Sequence, residues 1–377
     1  MSRNIPFADL KSQYNAYKKD IDEAVMQVMD TNMYIMGPAV ETLEKGLAEY
    51  IGAKHALAVS SGTDALLLAL MAYNIKAGDE IITSPFTFIA TAEVIALLGA
   101  KPVFADIDET TYNLDIEKVK PLITDKTKVI IPVSLYGLPA DMDKFKELVK
   151  DTNIKLIEDG CQSFGATDKG IYSCNYHSIG CTSFFPSKPL GCYGDGGAVF
   201  TNDDKEAEII SSIRNHGQIA RYRHKYIGIN GRLDAMQAAV LNAKLKYFKS
   251  EIEKRIEIGS NYTKKIKAMY KGETSDIITP FIPEGKVSVY AQYSIRVKNR
   301  DKVMEKLNEK GIPTAVHYPI PLHMQECFKD YGFKQSNLDI SETVSKEILS
   351  LPMSAFLKED DQDYIVENLC NIVLETK

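Results

Sequence analysis

The chain has 377 residues, of which 45% are hydrophobic and 25% charged, and its formal net charge is −6. That length gives an expectation of about two or three domains, with ample material for a buried core. The acidic balance excludes a general basic field for a nucleic-acid backbone, so a phosphate-bearing ligand has to be caught by local donors.

The six cysteines, Cys161, Cys174, Cys181, Cys192, Cys327 and Cys370, form no CxxC pair. The spacing therefore argues against a zinc site and for free thiols in a reducing compartment. The N-terminus lacks the apolar core of a signal peptide, and no apolar run is long enough to span a bilayer; a cytoplasmic protein is expected.

Taken in chain order, residues 11–30 carry Ile21, Ala24, Val25 and Val28 at helical spacing. A turn is expected over 34–38 and a second helix over 40–50. From His55 the pattern alternates. Strands are predicted at 56–59, 80–83, 102–105, 128–133 and 155–157, and helices at 64–73, 90–98, 142–150 and 206–214. Such alternation predicts an α/β fold with a largely parallel sheet covered on both faces. Ligands in such sheets bind at the carboxyl ends of the strands. A long charged helix from Ala235 towards Lys267 is expected to link a large unit, residues 1–245, to a smaller α+β unit, residues 246–377. The latter is predicted to hold a strand at 290–297, a helix at 301–310 and a final helix after Asp360.

Lys188 stands among Phe184, Phe185, Pro186, Pro189 and Leu190. A free ammonium is costly in an apolar setting, so a lysine kept there is paired or deprotonated, and a deprotonated lysine is a nucleophile. The ordinary alternative is a solvated surface cation. Residues 59–66 join a strand to a helix, where Gly62 permits close approach and the first helical amides can hold an anion; a plain Ser/Thr cap reads equally well. Asp159 ends a strand and can pair with a cationic ring nitrogen or cap the next turn. Phe88 follows another strand and can lie on a planar ligand or belong to the core. Asn230 and Arg232 precede the long helix, as anion donors or as part of a surface turn. Together these features match what pyridoxal 5'-phosphate needs: a helix N-terminus for its phosphate, a stacking partner, an anion for its ring nitrogen and a lysine for its aldehyde.

The stretches 61–66 (SGTDAL), 85–91 (PFTFIAT), 158–166 (EDGCQSFGA), 183–191 (SFFPSKPLG), 194–198 (GDGGA) and 228–239 (GINGRLDAMQAA) carry a resemblance over essentially the whole chain. It is to the DegT/DnrJ/EryC1/StrS family of sugar-nucleotide aminotransferases on the fold-type I, aspartate aminotransferase-like scaffold. That resemblance implies a large domain with a mainly parallel mixed sheet, a smaller C-terminal domain, and pyridoxal 5'-phosphate as cofactor. It implies that Lys188 bonds to the cofactor aldehyde and then moves the proton, and that Asp159 pairs with the ring nitrogen. Gln162 would contact the ring hydroxyl, Phe88 would stack on the ring, and Gly62, Thr63 and Ser183 would hold the phosphate. Asn230 would reach the cofactor of a neighbouring subunit, so the active unit would be a homodimer. Relatives with histidine in place of the lysine act as dehydratases; Lys188 favours transamination.

The implied amino donor is L-glutamate. The implied acceptor is a UDP-linked 3-keto sugar, either UDP-2-acetamido-3-keto-glucuronate for O-antigen or UDP-3-keto-N-acetylglucosamine for lipid A. Arg232 would read the sugar, although it lies in a motif shared with relatives whose sugars lack a carboxylate. Tyr34, Ser187, His317 and Tyr318 match positions near the nucleotide sugar; His317 also reads as a structural histidine, as do His55, His177, His216, His224 and His323. The rivals are a 4-keto-sugar aminotransferase and a non-catalytic regulator on the same scaffold.

Overall fold

The computed structural model describes residue 3 and residues 5–176, 179–331 and 337–376; His177 lies outside the described residues. Seven strands form the main sheet: β1 (His55–Val59), β2 (Glu80–Thr83), β3 (Lys101–Phe104), β4 (Thr127–Ile131), β5 (Lys155–Asp159), β6 (Ile179–Ser183) and β7 (Gly197–Thr201). Their spatial order is β1-β7-β6-β5-β4-β2-β3. From β6 to β3 every pairing is parallel, whereas β7 runs antiparallel to both β6 and β1. Neither β6 nor β7 is among the predicted strands. Gly180, Ser183 and Gly197 dilute their β signal, and pairing with buried neighbours on both sides makes them strands.

Both faces of this sheet are covered, which is why its strands read as apolar runs. Successive residues point to opposite sides. Leu57, Ile81, Val129, Ile131, Ile157 and Val199 pack in one core with the helices Gly62–Ala72 and Asp204–Ile213. On the other side Ile82, Ile130 and Leu156 meet Phe145 of the helix Met142–Val149. Beside them Ala56, Ala58, Ala198 and Phe200 meet Leu43 and Leu47 of the helix Pro38–Ile51.

The long helix is confirmed as Ala235–Met269. Its first half buries Ala238, Leu241 and Phe248 against the main sheet's core. Its last turns bury Tyr262 and Ile266 in a second core, with Tyr293, Ile295, Leu349 and Leu351. The expected division at 245/246 thus falls inside this helix. The second core lies under an antiparallel sheet in the order Ile277–Ile278, Tyr293–Val297, Ile348–Leu351. The strand predicted at 290–297 starts only at Tyr293; Tyr290 has φ 45°, a left-handed value that a strand cannot absorb. Helices at Arg300–Glu309 and Glu359–Glu375 match expectation, whereas the helix Asp339–Glu347 was not anticipated. Among the described residues no helix is long and apolar enough to cross a membrane.

Candidate active site

A cavity of about 480 Å³ opens at the carboxyl ends of the parallel strands. Ser61 and Gly62 enter it after β1, Thr87 and Phe88 after β2, Val133 after β4, Asp159 at the end of β5 and Ser183 at the end of β6. Since β6 and β7 are antiparallel neighbours, residues 184–196 form the loop that turns back between them at this same edge, and Lys188 is carried on that loop. The strand–helix alternation therefore gathers side chains far apart in sequence.

Ten of the thirteen residues singled out in the sequence line the cavity: Gly62, Thr63, Phe88, Asp159, Gln162, Ser183, Ser187, Lys188, His317 and Tyr318. Tyr34, Asn230 and Arg232 do not. These three lie together at one edge, where residues 34–35 and 215 bridge to the segment before the long helix through Ile35–Asp234, Asn215–Asn230 and Arg232–Val59 pairings. Arg232 Nη1 donates to Asn215 Oδ1 at 2.6 Å, while its Nε is buried without a hydrogen-bond partner among the described residues. The Tyr34 hydroxyl bonds Asn32 Oδ1 at 2.9 Å and the residue is exposed.

The surroundings of Lys188 differ in part from expectation. Phe184 and Leu190 are buried, but Phe185 is half exposed and faces the cavity. The Lys188 side chain is itself accessible from the cavity, not sealed in the core. Desolvation by the surrounding protein nonetheless lowers its pKa, against an upward pull from Cys161 and Asp159. A larger neutral fraction means a better nucleophile and base.

Asp159 is buried and accepts from Thr91 Oγ1 at 2.7 Å and from the Cys161 amide at 3.1 Å. The second bond is an Asx-type turn, so the turn-capping reading holds, and the residue also lines the cavity. Thr91, three residues after Phe88 on the first turn of the helix Ala90–Leu97, was not singled out; its position in the same loop as Phe88 was the available signal. Asp195 and Gln292 also line the cavity without having been anticipated. Glu158, beside Asp159, points away from the cavity. Its fully buried carboxylate accepts from Ser134 Oγ and Ser173 Oγ, each at 2.6 Å, and from the Cys174 amide at 2.7 Å.

Ser61 caps the helix Gly62–Ala72 by accepting from the Asp64 amide at 3.0 Å, so the capping reading holds too. The amides of Gly62 and Thr63 precede that bond and lie at the positive end of the helix. A Cβ on Gly62 would stand 2.7 Å from Ser183 Cβ, so only glycine fits this cradle. Ser183 Oγ accepts from the Phe185 amide at 3.2 Å, which leaves its own proton for an anion. Helix amides, a spare hydroxyl proton, a buried carboxylate and a nucleophilic lysine in one cavity fit the donor set of pyridoxal 5'-phosphate.

Gln162 is held between two partners: Oε1 accepts from the Tyr136 amide at 2.7 Å and Nε2 donates to the Tyr318 hydroxyl at 3.1 Å. His317 shares a hydrogen bond between Nδ1 and Ser350 Oγ at 2.9 Å, and its carbonyl accepts from the Tyr136 hydroxyl. Burial, with the Lys188 charge nearby, pushes the His317 pKa down to about 4. The imidazole is therefore neutral near pH 7. The unfolded chain takes up this proton near pH 6.5 and the folded chain only near 4, so the contribution to stability is complete above 6.5 and is lost as pH falls towards 4. Replacing His317 by asparagine is expected to shrink the loss of unfolding free energy between pH 7 and 4.5 by about 2 kcal/mol. Urea denaturation at the two pH values checks this; an unchanged difference would mean that the ring titrates normally.

The fold and the site define an aminotransferase of the fold-type I kind. The chain belongs to the DegT/DnrJ/EryC1/StrS aminotransferase family, whose model matches residues 15–370. It is 48% identical over 353 residues to a UDP-2-acetamido-2-deoxy-3-oxo-D-glucuronate aminotransferase of Pseudomonas aeruginosa, covering 94% of this chain and 96% of that one. It is 42% identical to a protein of Geobacillus stearothermophilus named as a pleiotropic regulatory protein, covering 97% and 98%. Among solved structures, NtdA of Bacillus subtilis with bound cofactor PMP superposes with a TM-score of 0.91 at 30% identity, covering 99% of this chain and 86% of that chain.

Proposed function

We propose that this protein is a cytoplasmic, pyridoxal 5'-phosphate-dependent homodimer that moves the amino group of L-glutamate to the 3-keto group of a UDP-linked 2-acetamido sugar. The uronic acid is the favoured acceptor. The observation that carries the reading is the cavity in which Lys188 and Asp159 face the same space, in a chain 48% identical over nearly its full length to a 3-oxo-glucuronate aminotransferase.

When bound, the cofactor would supply an electron sink for the carbanion at the donor's α-carbon. The chain's own residues do the rest. Gly62 and Thr63 amides and the Ser183 hydroxyl would hold the phosphate. Asp159 would keep a proton on the ring nitrogen, and Phe88 would pack against the ring. Lys188 Nζ takes the proton from the donor's α-carbon, and its lowered pKa suits it to that task. Ser187, His317 and Tyr318 line the approach of the sugar. Tyr34, Asn230 and Arg232, which do not line the cavity of their own chain, would serve the cavity of a second copy, where Asn230 would reach the phosphate. The regulatory relative supports a second, non-catalytic reading, but a nucleophilic lysine beside a buried carboxylate has no evident use without turnover.

Two half-reactions test the proposal. The cofactor-loaded protein is treated with L-glutamate, then mixed separately with the 3-keto uronic acid and the neutral 3-keto sugar, each made in place by a dehydrogenase. Recovery of the starting spectrum is expected with the uronic acid; recovery with only a 4-keto sugar would move the site of amination. Arg232, with one guanidinium nitrogen unpaired, is expected to act on the sugar side. Arg232→Ala should slow the sugar half-reaction by about 10²-fold, as for loss of a charge-assisted contact, and the glutamate half-reaction far less. Equal losses would make Arg232 a part of the cofactor site.

A further inference from the structure

The helix Ala235–Met269 grips the loop that carries Lys188. Lys244 on this helix is 2% exposed, and its Nζ donates to the backbone carbonyl of Gly191. The same ammonium stands 5.2 Å from the centroid of the Tyr193 ring. About two turns earlier on the same face, Gln237 Oε1 accepts from the Tyr193 amide at 2.8 Å and its Nε2 donates to the Tyr193 carbonyl at 3.2 Å. A Cβ on Gly194 would lie 2.9 Å from that Nε2, so the chain passes directly against the helix.

The loop itself is closed. The Cys192 amide donates to the Phe184 carbonyl and the Lys188 amide to the Phe185 carbonyl, each at 2.8 Å. A Cβ on Gly191 would stand 2.4 Å from the Pro186 carbonyl oxygen, so residues 186 and 191 touch across the loop. A pull on Gly191 is thus transmitted through a short, closed ring of backbone to Lys188.

A buried ammonium is an expensive way to fill such a slot. Burial lowers the pKa of Lys244 to about 8, opposed by Glu251. The Glu251 carboxylate is itself engaged by Gln13 Nε2 at 3.0 and 2.8 Å. A methionine of similar shape would fill the space without desolvating a charge, but it would leave the Gly191 carbonyl without this donor, so what the lysine adds at this position is its bond to the loop. We infer that Lys244 is a positioning residue that, through the Gly191 carbonyl and together with Gln237, fixes the loop on which Lys188 stands and so holds the Lys188 amine at the cavity. The catalytic consequence rests on the aminotransferase reading; the clamp itself does not.

The test uses the cofactor-loaded protein and two variants, Lys244→Met and Gln237→Ala. Hydrogen exchange of the amides at 185–194 reads the clamp without any substrate. Those amides are expected to exchange about 10-fold faster in both variants, with the amides of β4 and β5 unchanged. The L-glutamate half-reaction reads the consequence. Its maximal rate is expected to fall about 10- to 100-fold, with the half-saturating glutamate concentration within about 2-fold, because a misplaced base slows the chemistry more than it weakens binding. The melting temperature and cofactor content of each variant are measured alongside, so that a loss of fold or of cofactor is separated from a loss of rate. Unchanged exchange and rate would overturn the inference, and so would a rate that falls only in proportion to lost cofactor or lost fold. If the unaltered protein does not react with glutamate, the aminotransferase reading fails, while the exchange result still decides the clamp.

Discussion

Lys188→Ala is expected to abolish transamination, with a loss of about 10⁴-fold or more in the L-glutamate half-reaction, while the fold persists. The size follows from two roles carried by one atom. On the proposed reading, Lys188 Nζ would be both the nucleophile for the cofactor's aldehyde and the base that moves the α-proton, and positioned acid–base groups alone contribute about 10²- to 10⁴-fold. The persistence of the fold follows from where the side chain stands. It projects into a cavity, and desolvation already disfavours its charge, so truncation removes a destabilised cation and leaves no hole in the core. The backbone of the loop is untouched, because its bonds run from the Lys188 amide to Phe185 and from the Cys192 amide to Phe184. The measurements are absorbance under single-turnover conditions and thermal melting. Retained turnover would remove Lys188 from the chemistry, and a collapse of the melting transition would make it a structural residue.

How much of this site was legible in the sequence depended on the range over which each signal acts. Asp159 ends a strand and Gly62 starts a helix, and local pattern alone places these two at one edge of an α/β sheet. The strands on either side of the Lys188 loop were missed because β6 and β7 contain glycine and polar residues and owe their conformation to neighbours contributed by distant chain. Without them the reason for the loop's position, an antiparallel return inside a parallel sheet, could not be read. Thr91 was missed because a threonine at a helix start has many ordinary roles; its bond to Asp159 spans 68 residues. Phe185 was taken for part of an apolar wall, but a pair of phenylalanines in a loop cannot both face inward. Phe184 takes the core and Phe185 the cavity. Lys244 lay hidden in a charged helix, where an interior lysine looks like any surface one until the helix is packed.

Asp159→Asn separates charge from shape at the second essential position. The side chain is buried and keeps its volume, and its hydrogen bonds can be remade. An asparagine oxygen can still accept from the Cys161 amide, now held at 3.1 Å. The new amide group would face Thr91 Oγ1, which now donates at 2.7 Å, and that hydroxyl can turn its proton to Thr87 Oγ1 or the Phe88 carbonyl, each 3.3 Å away. Stability should therefore change by no more than about 1 kcal/mol. The proposed phosphate cradle at Gly62 and Ser183 is not altered by the substitution, so cofactor loading should stay near that of the unaltered protein. What disappears is the anion that, on the proposed reading, would keep a proton on the ring nitrogen. An opposite charge in contact favours a protonated base by one to three pKa units, and a neutral amide does not. The expected result is a fall of about 10³-fold in the L-glutamate half-reaction with near-normal cofactor content. A cofactor methylated on the ring nitrogen carries the positive charge permanently, so it should restore part of the rate to Asp159→Asn. A variant that keeps its rate within about 3-fold would reduce Asp159 to its bond with Cys161. A variant that is slow and stays slow with the methylated cofactor would make the carboxylate's role one of geometry, since the charge would then be present and idle.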